Sequence, residues 1–143
     1  MIQAVRHTGL VVRDLNRSVR FYEGLGLEVQ ARKRESGAYI DAVIGLQDAD
    51  LEWAKLSAPD GALVELIQYH SHPEPPRSPR ASAAGCSHMA FTVRSMEEAL
   101  EAVEFLGGSR VGQVATDPPG RHRVIYCADP DGIIIELVEV QSA

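Results

Sequence analysis

The chain has 143 residues, 45% of them hydrophobic and 24% charged, with a formal net charge of −6. That is soluble globular composition and one domain's worth of length, too short for two independent cores. The acidic balance excludes the concentrated basic surface that nucleic-acid binding relies on, and no apolar run approaches the roughly 18 residues that span a bilayer.

Residues 1–9, "MIQAVRHTG", lack a basic stretch followed by an apolar one, so a cytosolic location is expected. Cys86 and Cys127 are the only cysteines and have no metal-ligand spacing. They read as small apolar fillers or free thiols rather than a disulfide framework. The pairs Arg77 with Arg80 and Arg121 with Arg123 are the only local basic clusters, and they read as solvated loop residues.

Residues 4–13 are rich in β-branched and apolar side chains and predict a strand. Asp14 then stands where a helix N-cap is wanted. Leu15, Val19 and Tyr22 recur at spacings of three and four, giving an apolar stripe, and Gly24 and Gly26 supply the stop. Extended stretches follow at 27–34, 50–58 and 62–69. Residues 70–85, "HSHPEPPRSPRASAAG", hold four prolines and predict a surface connector.

From residue 86 the pattern returns. Residues 86–94 predict a strand, and Ser95-Met96-Glu97-Glu98 is a capping-box pattern. Met96, Ala99 or Leu100, Val103 and Leu106 form the stripe, and Gly107 and Gly108 end the helix. Three extended stretches follow at 109–116, 123–128 and 133–140.

The two halves align residue by residue at their ends. His7 matches His88, Val12-Arg13 matches Val93-Arg94, and Leu25-Gly26 matches Leu106-Gly107, all at an offset of 81. The turns Pro59-Asp60-Gly61 and Pro130-Asp131-Gly132, each followed four residues later by Glu65 or Glu136, match at an offset of 71. Ends that match around a middle that drifts indicate a duplicated βαβββ module with variable loops. The expected organisation is a first module over 1–69, a connector over 70–85 and a second module over 86–143, sharing one core.

Strand alternation puts His7 on the face away from Thr8, Leu10 and Val12, and puts Glu65 and Glu136 within apolar strands. A carboxylate there is costly unless paired or metal-bound. Each residue taken alone reads as a hydrogen-bonded core histidine, or as a glutamate paired with an arginine such as Arg123. The four together, in repeat-related positions, suit a divalent Ni, Co, Zn, Mn or Fe ion with two waters. His70, His72 and His122 have no repeat partner and read as solvated.

"HTGLVVRDLNRSVRFYEGLGLEV", "LVELIQY", "CSHMAFTV" and "DPDGIIIELVEV" resemble the vicinal-oxygen-chelate superfamily, which includes glyoxalase I, methylmalonyl-CoA epimerase, extradiol dioxygenases and bleomycin-binding proteins. The resemblance implies an α+β fold in which two βαβββ modules form an open eight-stranded, cup-shaped mixed sheet with helices on its outer face. It implies His7, Glu65, His88 and Glu136 as the ligands of one divalent ion. This set is similar to that of bacterial glyoxalase I, whereas epimerases of the group often have glutamine at the position of Glu65.

The activity so implied is that of a lyase or isomerase, moving a proton through a metal-bound enediolate of a small oxygenated or thioester substrate. Glu65 or, preferred, Glu136 would act as the base. The alternatives are an extradiol-type Fe(II) dioxygenase and a metal-free binder of antibiotic-like molecules. The resemblance further implies a homodimer, in which modules pair within a chain or swap between chains. Tyr69 departs from bacterial glyoxalase I, which has asparagine four residues beyond the equivalent glutamate. Tyr39, Asp41 and Trp53, in the drifting middle, are candidate lining residues.

Overall fold

In this computed structural model, residues 1–76, 80–85 and 88–142 are described. Arg77 and Cys86 therefore lie outside the described residues. The chain divides into two compact units, Met1–Pro75 and Pro76–Ala143.

The first unit runs β1 (Thr8–Val11), α1 (Leu15–Gly24), β2 (Glu28–Ser36), α2 (Ala38–Ile44), β3 (Asp50–Ser57) and β4 (Leu63–Tyr69). Its four-stranded sheet has the order β1-β4-β3-β2. β1 pairs with β4 in parallel, while β3 is antiparallel to both β4 and β2. A parallel pair needs a crossover, and α1 begins it. Leu15, Val19, Phe21 and Tyr22 on α1 are buried, as are Ala54 and Leu56 of β3 and Val64 and Leu66 of β4. Phe21 and Tyr22 meet edge to face with ring centroids 5.0 Å apart.

The second unit repeats this plan with β5 (His88–Val93), α3 (Met96–Phe105), β6 (Ser109–Arg110), β7 (Ala115–Thr116), β8 (His122–Ala128) and β9 (Ile134–Val140). Its strand order is β5-β9-β8-β6, with β7 also paired to β8. β5 and β9 are parallel, as β1 and β4 are. Met96, Leu100 and Val103 are buried with Ile125, Cys127, Ile135 and Leu137. Burial also pushes the Cys127 thiol pKa up, which makes it apolar filling rather than a reactive group.

Both helices start where the sequence expects. Asp14 accepts from the Arg17 amide at 3.0 Å, and Ser95 from the Glu98 amide at 3.3 Å. A second tie at each helix start was not foreseen. The side chain of Gln68 on β4 accepts from the Leu15 amide at 2.8 Å, and that of Glu139 on β9 accepts from the Met96 amide at 3.0 Å. Gln68 and Glu139 are repeat equivalents, as are Leu15 and Met96. The last strand of each unit thus satisfies an otherwise orphaned helix-start donor and fixes the helix over its sheet.

Both Pro-Asp-Gly turns close in the same way. Ala58 donates to the Ala62 carbonyl and Asp129 to the Ile133 carbonyl, each at 2.9 Å. Gly61 and Gly132 have φ of 87° and 82°, which a side chain would strain.

The structure corrects the expected elements in three places. β1 starts at Thr8, so His7 immediately precedes the strand, and Val5 is exposed. The strand expected over 109–116 is two short ones, because the Val111 and Gly112 amides both donate to the Tyr126 carbonyl and the ladder breaks there. There are accordingly nine strands among the described residues rather than eight, arranged in a four-stranded and a five-stranded sheet. The helix α2 also appears unannounced. It is seven residues long, starts at Gly37 without a side-chain cap and ends at a left-handed Gly45, so the sequence offers little periodicity to read. Its Ile40 is buried with Ala49 and Leu51, against which Trp53, Ile67 and Tyr69 pack.

Replacing Gln68 with alanine is expected to cost about 1 kcal/mol of stability by removing the acceptor for the Leu15 amide. Gln68→Glu, which keeps an acceptor, should lose much less; denaturant midpoints of the two variants check this.

Candidate functional site

The parallel ladders decide which side chains meet. Gly9 pairs with Glu65, and Ala90 with Glu136, so each histidine precedes its glutamate's register partner by two positions. Side chains two apart share a face, and the histidine reaches the carboxylate across the ladder. His7 Nε2 lies 2.7 Å from Glu65 Oε2, and His88 Nε2 lies 2.9 Å from Glu136 Oε2. The carboxylate side chains are 13% and 22% exposed and the imidazoles 33% and 28%, so both pairs are accessible to a ligand without being fully solvated. The neighbours Val64, Leu66, Ile135 and Leu137 point to the opposite, helix-packed face and are buried.

Each glutamate also faces an antiparallel neighbour. Glu65 pairs with Lys55 and Glu136 with Tyr126. The Lys55 ammonium stands 3.9 Å from Glu65 Oε1 and 4.8 Å from the centre of the Trp53 ring. The Tyr126 hydroxyl lies 3.3 Å from each ring nitrogen of His88, and the two ring centroids are 4.7 Å apart. Lys55 and Tyr126 were missed because the repeat does not preserve their chemistry. A signal was nevertheless present: each is as far before the centre of its Pro-Asp-Gly turn as its glutamate is after it.

The donor chemistry of both pairs fits a divalent first-row ion. Two neighbouring ligands with bonds of about 2.1 Å at right angles stand roughly 3 Å apart, close to the separations within each pair. The structure brings the predicted residues together as two pairs, one in each unit. Among the described residues, no group of three or more His, Cys, Asp or Glu side chains gathers at metal-holding range.

The other expected residues have separate roles. Arg123 binds Glu97 at 2.6 Å and Glu139 at 2.9 Å, so it braces the start of α3 and is not the partner of either site glutamate. The Met96 amide and Arg123 hold the Glu139 carboxyl below its ordinary pKa. The His70 ring lies 3.4 Å from Glu52, and His72 is exposed. Asp41 accepts from the Asp48 and Ala49 amides and so closes the loop after α2, while the Tyr39 side chain is exposed. Trp53 donates from its indole to Glu35 at 2.9 Å.

His122 is not simply solvated: its Nδ1 lies 2.7 Å from Asp117 Oδ2. Asp117 Oδ1 also accepts from the Arg121 and His122 amides. The imidazole first, and then these amides, lower the Asp117 pKa to about 2.

The profile of the glyoxalase/bleomycin resistance protein/dioxygenase superfamily matches residues 4–137. The chain belongs to that superfamily. Among its relatives, the Bacillus subtilis protein YwkD is 29% identical, over 97% of this chain and 98% of its own length. A lactoylglutathione lyase from Neisseria meningitidis is 30% identical, over 95% of this chain and 90% of its own. A crystal structure of a glyoxalase family protein from Bacillus cereus superposes with a TM-score of 0.92 at 26% identity, covering 99% and 97% of the two chains. The mixed α+β architecture of this chain is thus that of the glyoxalase fold. No helix among the described residues is long and apolar enough to cross a membrane.

Because the Asp117 pKa lies below its ordinary value of 3.8, its stabilising contribution is complete above that value and is lost as pH falls through about 2. A carbon-detected NMR titration of the carboxyl group should show a midpoint near that lower value. His122→Ala should raise it toward the ordinary one.

Proposed function

We propose that the chain is a divalent-metal-dependent lyase or isomerase of the glyoxalase or epimerase kind, with His7, Glu65, His88 and Glu136 as the ligands of one Ni, Co, Zn, Mn or Fe ion. The observation that carries this reading is the duplicated pair. The same donor types, held to the same register offset in two modules whose middles have diverged, are more than local core chemistry requires. A lactoylglutathione lyase among the relatives supports the lyase class. The second carboxylate, Glu65, is one more than the two-histidine, one-carboxylate set of Fe(II) oxygenases, which places a dioxygenase behind this reading. A metal-free binder would have no use for four such donors.

A bound divalent ion would polarise a substrate carbonyl and lower the cost of removing the proton beside it. The chain's own residues supply the rest. A glutamate carboxylate takes that proton and returns it to the same or a neighbouring carbon, as general base and then general acid. Glu136 is the preferred base. Its antiparallel neighbour is the tyrosine Tyr126, whereas Glu65 has the Lys55 ammonium 3.9 Å away. Trp53, Ile67 and Tyr69 lie on the same face as Glu65 and give a substrate an apolar surface to rest on. A homodimer acting on a small molecule in the cytosol completes the reading.

Elemental mass spectrometry on untagged protein tests it. The wild type should hold about one equivalent of one of these metals, and Glu65→Gln and Glu136→Gln should each bind it roughly 10-fold or more weakly. Wild-type protein that neither carries nor takes up such an ion would remove the metal-dependent reading and leave a binding protein.

A further inference from the structure

The two site glutamates occupy equivalent positions in the repeat, yet their antiparallel neighbours differ, and the difference bears on substrate. On the face of the first sheet that carries Glu65, the register aligns Gly9, Glu65, Lys55 and Ala31 in one row, and Val11, Ile67, Trp53 and Lys33 in the next. Two lysines thus share the face. Lys33 is committed, with its ammonium 2.6 Å from Glu35, the same carboxylate that receives the Trp53 indole. Lys55 is held differently: it lies over the Trp53 ring, and at 3.9 Å from Glu65 it is beyond hydrogen-bond reach. Its three N–H donors have no hydrogen-bond acceptor among the described residues, and its side chain is 34% exposed. Arg32 and Arg34, by contrast, pair with Ala54 and Glu52 on the opposite face, where they bind Glu52 and Asp50.

We infer that Lys55 is a specificity-determining residue, whose ammonium, braced on Trp53 beside Glu65, receives a carboxylate carried by the substrate. The inference rests on the function proposed above and narrows its substrate class to small oxygenated molecules bearing one carboxylate. One ammonium beside one protein carboxylate matches a monoanion, since a phosphate dianion calls for more cationic donors than this face leaves uncommitted. Stacking on Trp53 restricts the lysine stem in advance, so less freedom is lost when the anion arrives. The second module has Tyr126 at the equivalent position, so its half of the repeat offers a neutral hydroxyl where the first offers a charge.

The test uses two probes of matched size, succinohydroxamic acid and its primary amide. Both present two neighbouring oxygens, and only the first carries a carboxylate. Calorimetric titration of nickel-loaded wild type should show the carboxylate probe binding about 10-fold more tightly than the amide. In Lys55→Met the ratio should fall to within about twofold, whereas Lys55→Arg, which keeps the charge, should retain most of the preference. A wild type that does not discriminate between the probes overturns the inference, as does a Lys55→Met variant that still prefers the carboxylate. Metal content on the same samples separates this from the broader reading. If no sample takes up metal, the metal-dependent function fails, and the same ratio measured on metal-free protein still decides the role of Lys55. If metal binds but the ratio is flat, only the lysine assignment fails.

Discussion

Parallel pairing between the first and last strands of each module is the constraint on which the rest depends. It demands a crossover, which α1 and α3 begin, and it buries one face of the sheet beneath that helix. On the other face it sets a register in which a histidine at the head of one strand meets a glutamate in the middle of the other. A slip of one residue would turn Glu65 or Glu136 into the helix-packed core and Val64 or Ile135 out of it. The large desolvation penalty of a misplaced carboxylate therefore protects the arrangement that brings the donors together.

Each module reinforces this register from a second direction. Gln68 and Glu139 stand on the helix side of the last strand and grip the first amide of the helix, three and three residues beyond the site glutamates on the same strands. The donor pair on one face and the helix anchor on the other are thus two readings of a single strand alignment. In the second module the anchor is ionised and is shared with Arg123, which extends the grip to Glu97. The first module achieves the equivalent hold with a neutral amide.

What could be read in the sequence followed how far the physical signal extended along the chain. The helix starts were legible because Asp14 and Ser95 are caps followed by stripes of several turns. The glutamates were legible because an acidic residue between apolar neighbours in a strand stands out, and because it does so twice. The helix α2 was not, since seven residues between two glycines carry too few periods to tell helix from loop. The break at 111–112 was equally hidden, because it depends on two amides sharing the Tyr126 carbonyl, an acceptor that tertiary pairing brings to them. His122 needed its Asp117 partner, five residues earlier across a tight turn, before its role could be distinguished from that of a solvated loop histidine.

The parallel register also has a kinetic consequence. Residues 9 and 65, and residues 90 and 136, are distant in sequence, so each alignment closes a long loop. Closing such loops is entropically uphill until the packed core rewards it. The imidazole and carboxylate of each pair consequently come into range only when that loop has closed. A nascent or truncated chain ending before residue 65 or residue 136 lacks one half of the corresponding pair, so assembled donors report a finished module rather than an emerging one.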